Sequence, residues 1–283
     1  MSEKSKPTFD LSRRHFGAAT LAAGLAASKA KAADVALTET DVMIKTRDGN
    51  ADAVLIHPTE GKHPGVLVWT DIMGLRPEFR EMGREIASAG YTVLIPNPFY
   101  RTGPAPLPPA GSDFGDPEAR KVMMQLMGQL TQPGNPESDA HAYVAFLDAN
   151  SAVDTGKKIG TSGYCMGGPL VMRTAAELPG RIGAGGSFHG GGLVTDKPDS
   201  PHLLVPKMKA GFYFGIADND DERQPEAKDE LRKAFDTAGL PAEIKVYKGC
   251  MHGWSVPGSA VYNQEGSREA MGKLLELLKN NIA

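Results

Sequence analysis

The chain has 283 residues, 41% of them apolar and 23% charged, with a net charge of −3 at pH 7. That is ordinary globular composition with material for one sizeable core; with no basic block, it carries no electrostatic footprint for nucleic acid. Cys165 and Cys250 are the only cysteines, which excludes a disulfide framework and a four-cysteine metal site.

Ser12-Arg13-Arg14-His15-Phe16-Gly17 sets paired arginines between a serine and a phenylalanine. A mildly apolar, alanine-rich run follows over 18–27, and Ala30-Lys31-Ala32 fits a small-residue cleavage site. Together these predict a signal peptide over 1–32, and the twin arginines direct it to the bacterial Tat export machinery. The apolar run is too short for a stable membrane span. The mature domain, 33–283, is therefore expected in the periplasm, where a free thiol is open to oxidation.

Strand and helix signals then alternate. Residues 42–46 and 51–57 are alternating runs around Arg47-Asp48-Gly49-Asn50, a hairpin expected at a sheet edge. Residues 65–70 are continuously apolar, as in a buried parallel strand, and end at Asp71-Ile72-Met73-Gly74. Phe79, Met82, Ile86 and Ala89 recur at helical spacing over 78–89, Gly90 closes that helix, and 91–96 is a second buried strand. This is a βαβ unit, whose functional loops lie at the carboxyl ends of its strands. Residues 97–116, rich in Pro and Gly, predict a long surface loop. Helices are expected over 117–128, where Met123, Met124 and Met127 read as core filler, and over 136–150, where Tyr143, Phe146 and Leu147 share a face.

The stretch around Cys165 organises the rest. Lys158-Ile159-Gly160-Thr161 reads as the start of a strand, and a helix is expected over 170–178, stopped by Pro179-Gly180. Between them, Gly163-Tyr164-Cys165-Met166-Gly167 fits the nucleophile elbow G-x-S-x-G with cysteine in place of serine. The turn puts the Cys165 sulfur at a helix N-terminus, where partial positive charge favours thiolate, and aims the Met166 N–H at a substrate oxyanion. A small-residue strand over 182–188 ends at His189, a candidate pocket residue. A strand over 208–217 runs into an acidic loop, Asp218-Asn219-Asp220-Asp221-Glu222; a helix is expected over 225–238. A strand over 243–247 ends at Lys248-Gly249-Cys250-Met251-His252-Gly253-Trp254, and the last helix spans 267–280. Nucleophile, acid and histidine, each after a strand, follow the α/β-hydrolase order. His252 would withdraw the thiol proton and return it to the leaving group, with the acid fixing its tautomer.

Gly163-Tyr164-Cys165-Met166-Gly167-Gly168, Trp69-Thr70-Asp71-Ile72-Met73-Gly74, Ile95-Pro96-Asn97-Pro98-Phe99-Tyr100-Arg101 and His252-Gly253-Trp254 together resemble the dienelactone hydrolase (carboxymethylenebutenolidase) family. The resemblance runs from about residue 42 to the C-terminus. It implies an α/β class chain of the α/β-hydrolase fold, a mostly parallel doubly wound sheet flanked by helices. It also implies a Cys-His-Asp triad on Cys165, His252 and, by the family's register, Asp220 rather than Asp218. The oxyanion donors map to the backbone N–H groups of Ile72 and Met166. The family glutamate that meets the resting thiol is here the shorter Asp71. The family arginine shortly after the histidine, a substrate-carboxylate contact, has no counterpart among Gly253, Trp254, Ser255 and Val256. Arg101 is expected to keep the remaining carboxylate contact, and Trp254 to form an apolar pocket wall. The expected activity is cleavage of a lactone or small ester, with no cofactor and no metal. The rival reading is a non-catalytic periplasmic binding or thiol-redox protein on the same fold, with Cys165 paired to Cys250.

Overall fold

In the computed structural model, which describes residues 35–283, β1 (Leu37–Thr46) and β2 (Gly49–Pro58) pair antiparallel, with Thr46 opposite Gly49. The expected signal segment, 1–32, lies outside the described residues. The hairpin sits at the sheet edge as its pattern predicts. It is longer than the alternating run because the first half of β1 is mostly exposed and has no apolar period to read.

The remaining strands are β3 (Gly65–Trp69), β4 (Thr92–Pro96), β5 (Ile159–Tyr164), β6 (Ile182–Phe188), β7 (Gly211–Ala217) and β8 (Ala242–Tyr247). They complete one sheet in the order β1-β2-β4-β3-β5-β6-β7-β8. β2 meets β4 antiparallel, and every pairing from β4 through β8 is parallel. Every residue of β3, β4, β5 and β6 is buried, as strands covered on both faces require. One face is covered by α1 (Pro77–Ser88) and α7 (Gln264–Ile282), whose Phe79, Ile86, Leu274 and Leu278 meet Val66, Val68 and Val93. The other carries α3 (Asn135–Ala149), α4 (Gly167–Glu177) and α6 (Ala227–Ala238), whose Tyr143, Val171 and Phe235 meet Leu67, Trp69 and Phe214. This is the α/β-hydrolase fold.

Two departures from the expected elements bear on the site. The acidic stretch after β7 is the short helix α5 (Asp218–Arg223) and not a loop; its aspartates occupy the first turn, where the helix dipole favours them. A 3-10 turn at Pro201–Lys207 precedes β7, which starts later than expected. α2 (Pro117–Leu130) follows the long Pro-rich loop and buries only Met123, Leu126 and Leu130; Met124 is exposed. Among the described residues no helix is long and apolar enough to cross a membrane. Because β3 and β5 to β8 all point one way, their following segments gather at one end of the sheet.

Candidate active site

Cys165 stands between β5 and α4 with φ +53°, a left-handed conformation that L-residues rarely adopt. The flanking glycines are a steric requirement. A Cβ on Gly163 would lie 2.2 Å from the Gly167 carbonyl oxygen, and one on Gly167 would lie 2.5 Å from that of Trp69. A Cβ on Gly168 would fall 2.6 Å from the Gly190 Cα. The strand-turn-helix crossing therefore closes only with glycine at these points. Partly exposed, Cys165 heads α4 as the elbow pattern predicts.

His252 reaches this corner from the segment after β8. Its Nδ1 lies 2.5 Å from Asp220 Oδ2, and the Cys165 side chain is near enough to act on the charge of its ring. Burial opposes a charge on the imidazole, but Asp220 and Cys165 outweigh that and push its pKa up to about 10. The ring is thus an imidazolium at neutral pH. Asn219 Oδ1 accepts from the His252 backbone N–H at 2.8 Å and fixes the segment that carries the ring. Of the expected acids, Asp220 is the one on the histidine. Asp218 accepts from Lys248 Nζ at 2.8 Å and Gly249 N–H at 2.9 Å, while Asp221 pairs with Lys228. Cys165 and Cys250 are both free thiols. They pack into the clusters on opposite faces of the sheet, which gives no support to their pairing.

Ile72 and Met166 lie on the turns that follow β3 and β5. Among the described residues, neither backbone N–H donates in any turn or loop hydrogen bond. Asp71 shapes the first of these turns. Its carboxylate accepts from Met73 N–H at 2.9 Å and takes a two-pronged grip from Arg76 at 2.6 and 2.8 Å. Its oxygens are held by Arg76 and the loop backbone, and none of its described hydrogen bonds reaches the thiol. Arg76 escapes a sequence reading because its five-residue spacing from Asp71 in an irregular loop matches no periodic pattern.

Three more expectations change. The Arg101 guanidinium is gripped by Asp139 at 2.7 and 2.8 Å and by Asp48 at 2.8 Å, and it stacks on Tyr100. With Asp139 fully buried, this is a closed ion-pair network, so Arg101 is not a substrate-carboxylate contact. Trp254 is not a pocket wall either. It is 0% exposed, stacked on Tyr247 at 4.8 Å, and its large ring is the floor beneath the site. His189 is only 1% exposed and lies behind Cys165, with its Nδ1 on the Cys165 backbone N–H. Open space borders the corner elsewhere. A cleft of about 310 Å³ runs from Met166 along Leu170, Met127 and Thr131. Another of about 500 Å³ lies between Met73, Leu75 and Arg76 and the Pro-rich loop.

Strand order, elbow and glycine packing define an α/β-hydrolase. The profile of the dienelactone hydrolase family matches residues 51–282, and the chain belongs to that family of hydrolases. Carboxymethylenebutenolidase from Pseudomonas sp. is 28% identical over 233 residues, covering 82% of this chain and 90% of that protein. The carboxymethylenebutenolidase of Rhodococcus opacus is 28% identical over 193 residues, covering 68% and 70%. Among solved structures, a dienelactone hydrolase-like promiscuous phosphotriesterase from metagenomic libraries superposes with TM-score 0.71 at 19% identity, covering 88% of this chain and all of that one. Dienelactone hydrolase from Anabaena variabilis gives TM-score 0.61 at 16% identity, covering 87% and 99%. At these identities the structures speak to the fold.

Proposed function

We propose that this protein hydrolyses a lactone or small carboxylic ester through Cys165, with His252 and Asp220 completing the triad. The observation that carries the reading is the His252 imidazole held by Asp220 at 2.5 Å, with Cys165 at the head of α4 acting on the same ring. The Cys165 sulfur attacks the carbonyl carbon, its proton held by His252. The unpartnered N–H groups of Ile72 and Met166 supply the oxyanion donors. The imidazolium protonates the departing oxygen, leaving a thioester on Cys165. The same ring, now neutral, takes a proton from water, which attacks the thioester and frees the acid. Asp220 holds the ring's tautomer and balances its charge.

The substrate class narrows for a physical reason. With Arg101 tied to Asp139 and Asp48 and no arginine following His252, the site offers neither of the family's expected carboxylate contacts. Both bordering clefts carry charged side chains, Arg76, Glu78 and Arg80 in one and Arg173, Lys197 and Asp199 in the other, so the reading of a neutral ester or lactone rests on the two missing carboxylate contacts. The test is turnover of a panel of small aryl esters and lactones. Cys165→Ala or prior iodoacetamide treatment abolishes it; a retained rate rejects the mechanism.

The twin-arginine stretch supports Tat export to the periplasm. Replacing Arg13 and Arg14 by lysine, followed by cell fractionation, leaves the protein in the cytoplasm; unchanged export refutes that location's route.

A further inference from the structure

Cys165 and His189 are the two non-glycine residues with positive φ among the described residues, at +53° and +39°. They follow adjacent strands, directly after the paired residues Tyr164 and Phe188. The chain thus makes two left-handed exits side by side, and the second grips the first. The Cys165 N–H donates to the Phe188 carbonyl and to His189 Nδ1, each at 3.1 Å. The Cys165 carbonyl accepts from Gly168 N–H at 3.1 Å and from Gly191 N–H at 3.2 Å. The grip is anchored in turn, since His189 N–H donates to the Gly215 carbonyl of β7 at 2.7 Å.

A backbone N–H can only donate, so His189 Nδ1 must be the accepting nitrogen, and the ring's proton sits on Nε2. That Nε2 lies 2.9 Å from Ser255 Oγ, which takes the bond. The ring is edge-on to His252 at 5.1 Å and to Trp254 at 5.0 Å. Burial and the neighbouring His252 hold the His189 pKa well below its ordinary range, so the accepting nitrogen stays unprotonated.

We propose that His189 is a positioning residue for the reaction assigned to Cys165: its Nδ1 holds the nucleophile's backbone amide, Ser255 holds its tautomer, and together they set where the sulfur stands. The proposal rests on the reading of Cys165 as nucleophile. A histidine suits the place because it is among the few residues that tolerate left-handed backbone and it offers a buried acceptor with a donor on the far side.

The test compares His189→Gly with His189→Asn. Both accept the +39° backbone and both remove the ring; only asparagine returns an acceptor oxygen near the Cys165 amide. The readouts are kcat and KM on a small aryl ester and the rate at which iodoacetamide captures Cys165. Losing one buried hydrogen-bond acceptor is expected to lower kcat and the capture rate of the glycine variant about ten-fold, with KM within about two-fold of wild type. The asparagine variant is expected to recover to within about three-fold of wild type. Equal rates in the two variants overturn the proposal. Should the glycine variant fail to fold, Ser255→Ala tests the same link with the turn left intact: slowed capture supports it, and wild-type capture overturns it. Failure of the underlying reading has a different signature, ester turnover that survives Cys165→Ala.

Discussion

The Asp220–His252 and Arg101–Asp139 pairs are both short carboxylate–cation contacts, at 2.5 Å and at 2.7 and 2.8 Å. They differ in what remains after pairing. Each nitrogen of the Arg101 guanidinium bonds Asp139 or Asp48, and the fully buried Asp139 also accepts from Tyr100 at 2.8 Å. His252 uses one nitrogen on Asp220 and keeps a partly exposed ring whose other nitrogen has no described hydrogen bond. An ion pair that saturates its own groups holds the fold together. One that leaves an edge beside a nucleophile has something to offer a substrate.

The largest expected effect separates the two by activity. Asp220→Asn removes the charge behind His252 and is expected to lower kcat about 10²- to 10⁴-fold on an ester substrate, with a far-ultraviolet spectrum like wild type. A kcat within two-fold of wild type would remove Asp220 from the triad. Asp139→Ala is expected to do the reverse. Leaving the buried Arg101 without its main partner costs about 3–5 kcal/mol in urea unfolding, while kcat per folded molecule stays within about two-fold. If Arg101→Met raises KM for an anionic ester and not for its neutral counterpart, the network is not closed after all.

A pH comparison comes next in size. The His252 pKa in the folded protein, about 10, lies above that of a free imidazole. Its contribution to stability is therefore complete below about pH 6.5 and is lost as pH climbs through about 10. Asp220→Asn should accordingly destabilise more at pH 6 than at pH 10, measured as the difference in urea midpoint from wild type at each pH. An equal difference at both removes the imidazolium pair as its cause. The smallest effect is reserved for the neighbouring acid. Asp218 pairs with a Lys248 side chain that is 72% exposed, so Asp218→Asn is expected to leave the urea midpoint close to wild type and kcat within about two-fold. A large loss of activity there would return the choice of acid to Asp218.

These contrasts also show how far residues could be read before they were placed. The elbow at Cys165 is legible because its glycines answer to contacts made within and beside the turn, at a spacing the turn dictates. The buried strands are legible because burial on both faces demands unbroken apolar runs. Asp220 stands out from Asp218 by the register of the family resemblance, not by any local pattern. The fate of Arg101 is illegible in the chain. Its partners lie 53 residues before it and 38 after it, and nothing near Arg101 distinguishes a guanidinium that is engaged from one that is free. The same holds for His189 and Ser255, 66 residues apart, and for Trp254, whose position after a histidine suggests a pocket wall although it lies beneath the site.

By itself the sequence determined the order of most strands and helices along the chain and the corner at Cys165 whose flanking positions must be glycine. Each of these is written in neighbouring residues, through periodicity, backbone sterics and spacing. Only the tertiary structure decided which carboxylate meets which cation, and therefore which charged groups are sealed into the fold and which keep a side open to chemistry. Long side chains reach partners far away in the chain, and the pairing that results depends on how the sheet stacks its loops, which no local pattern records.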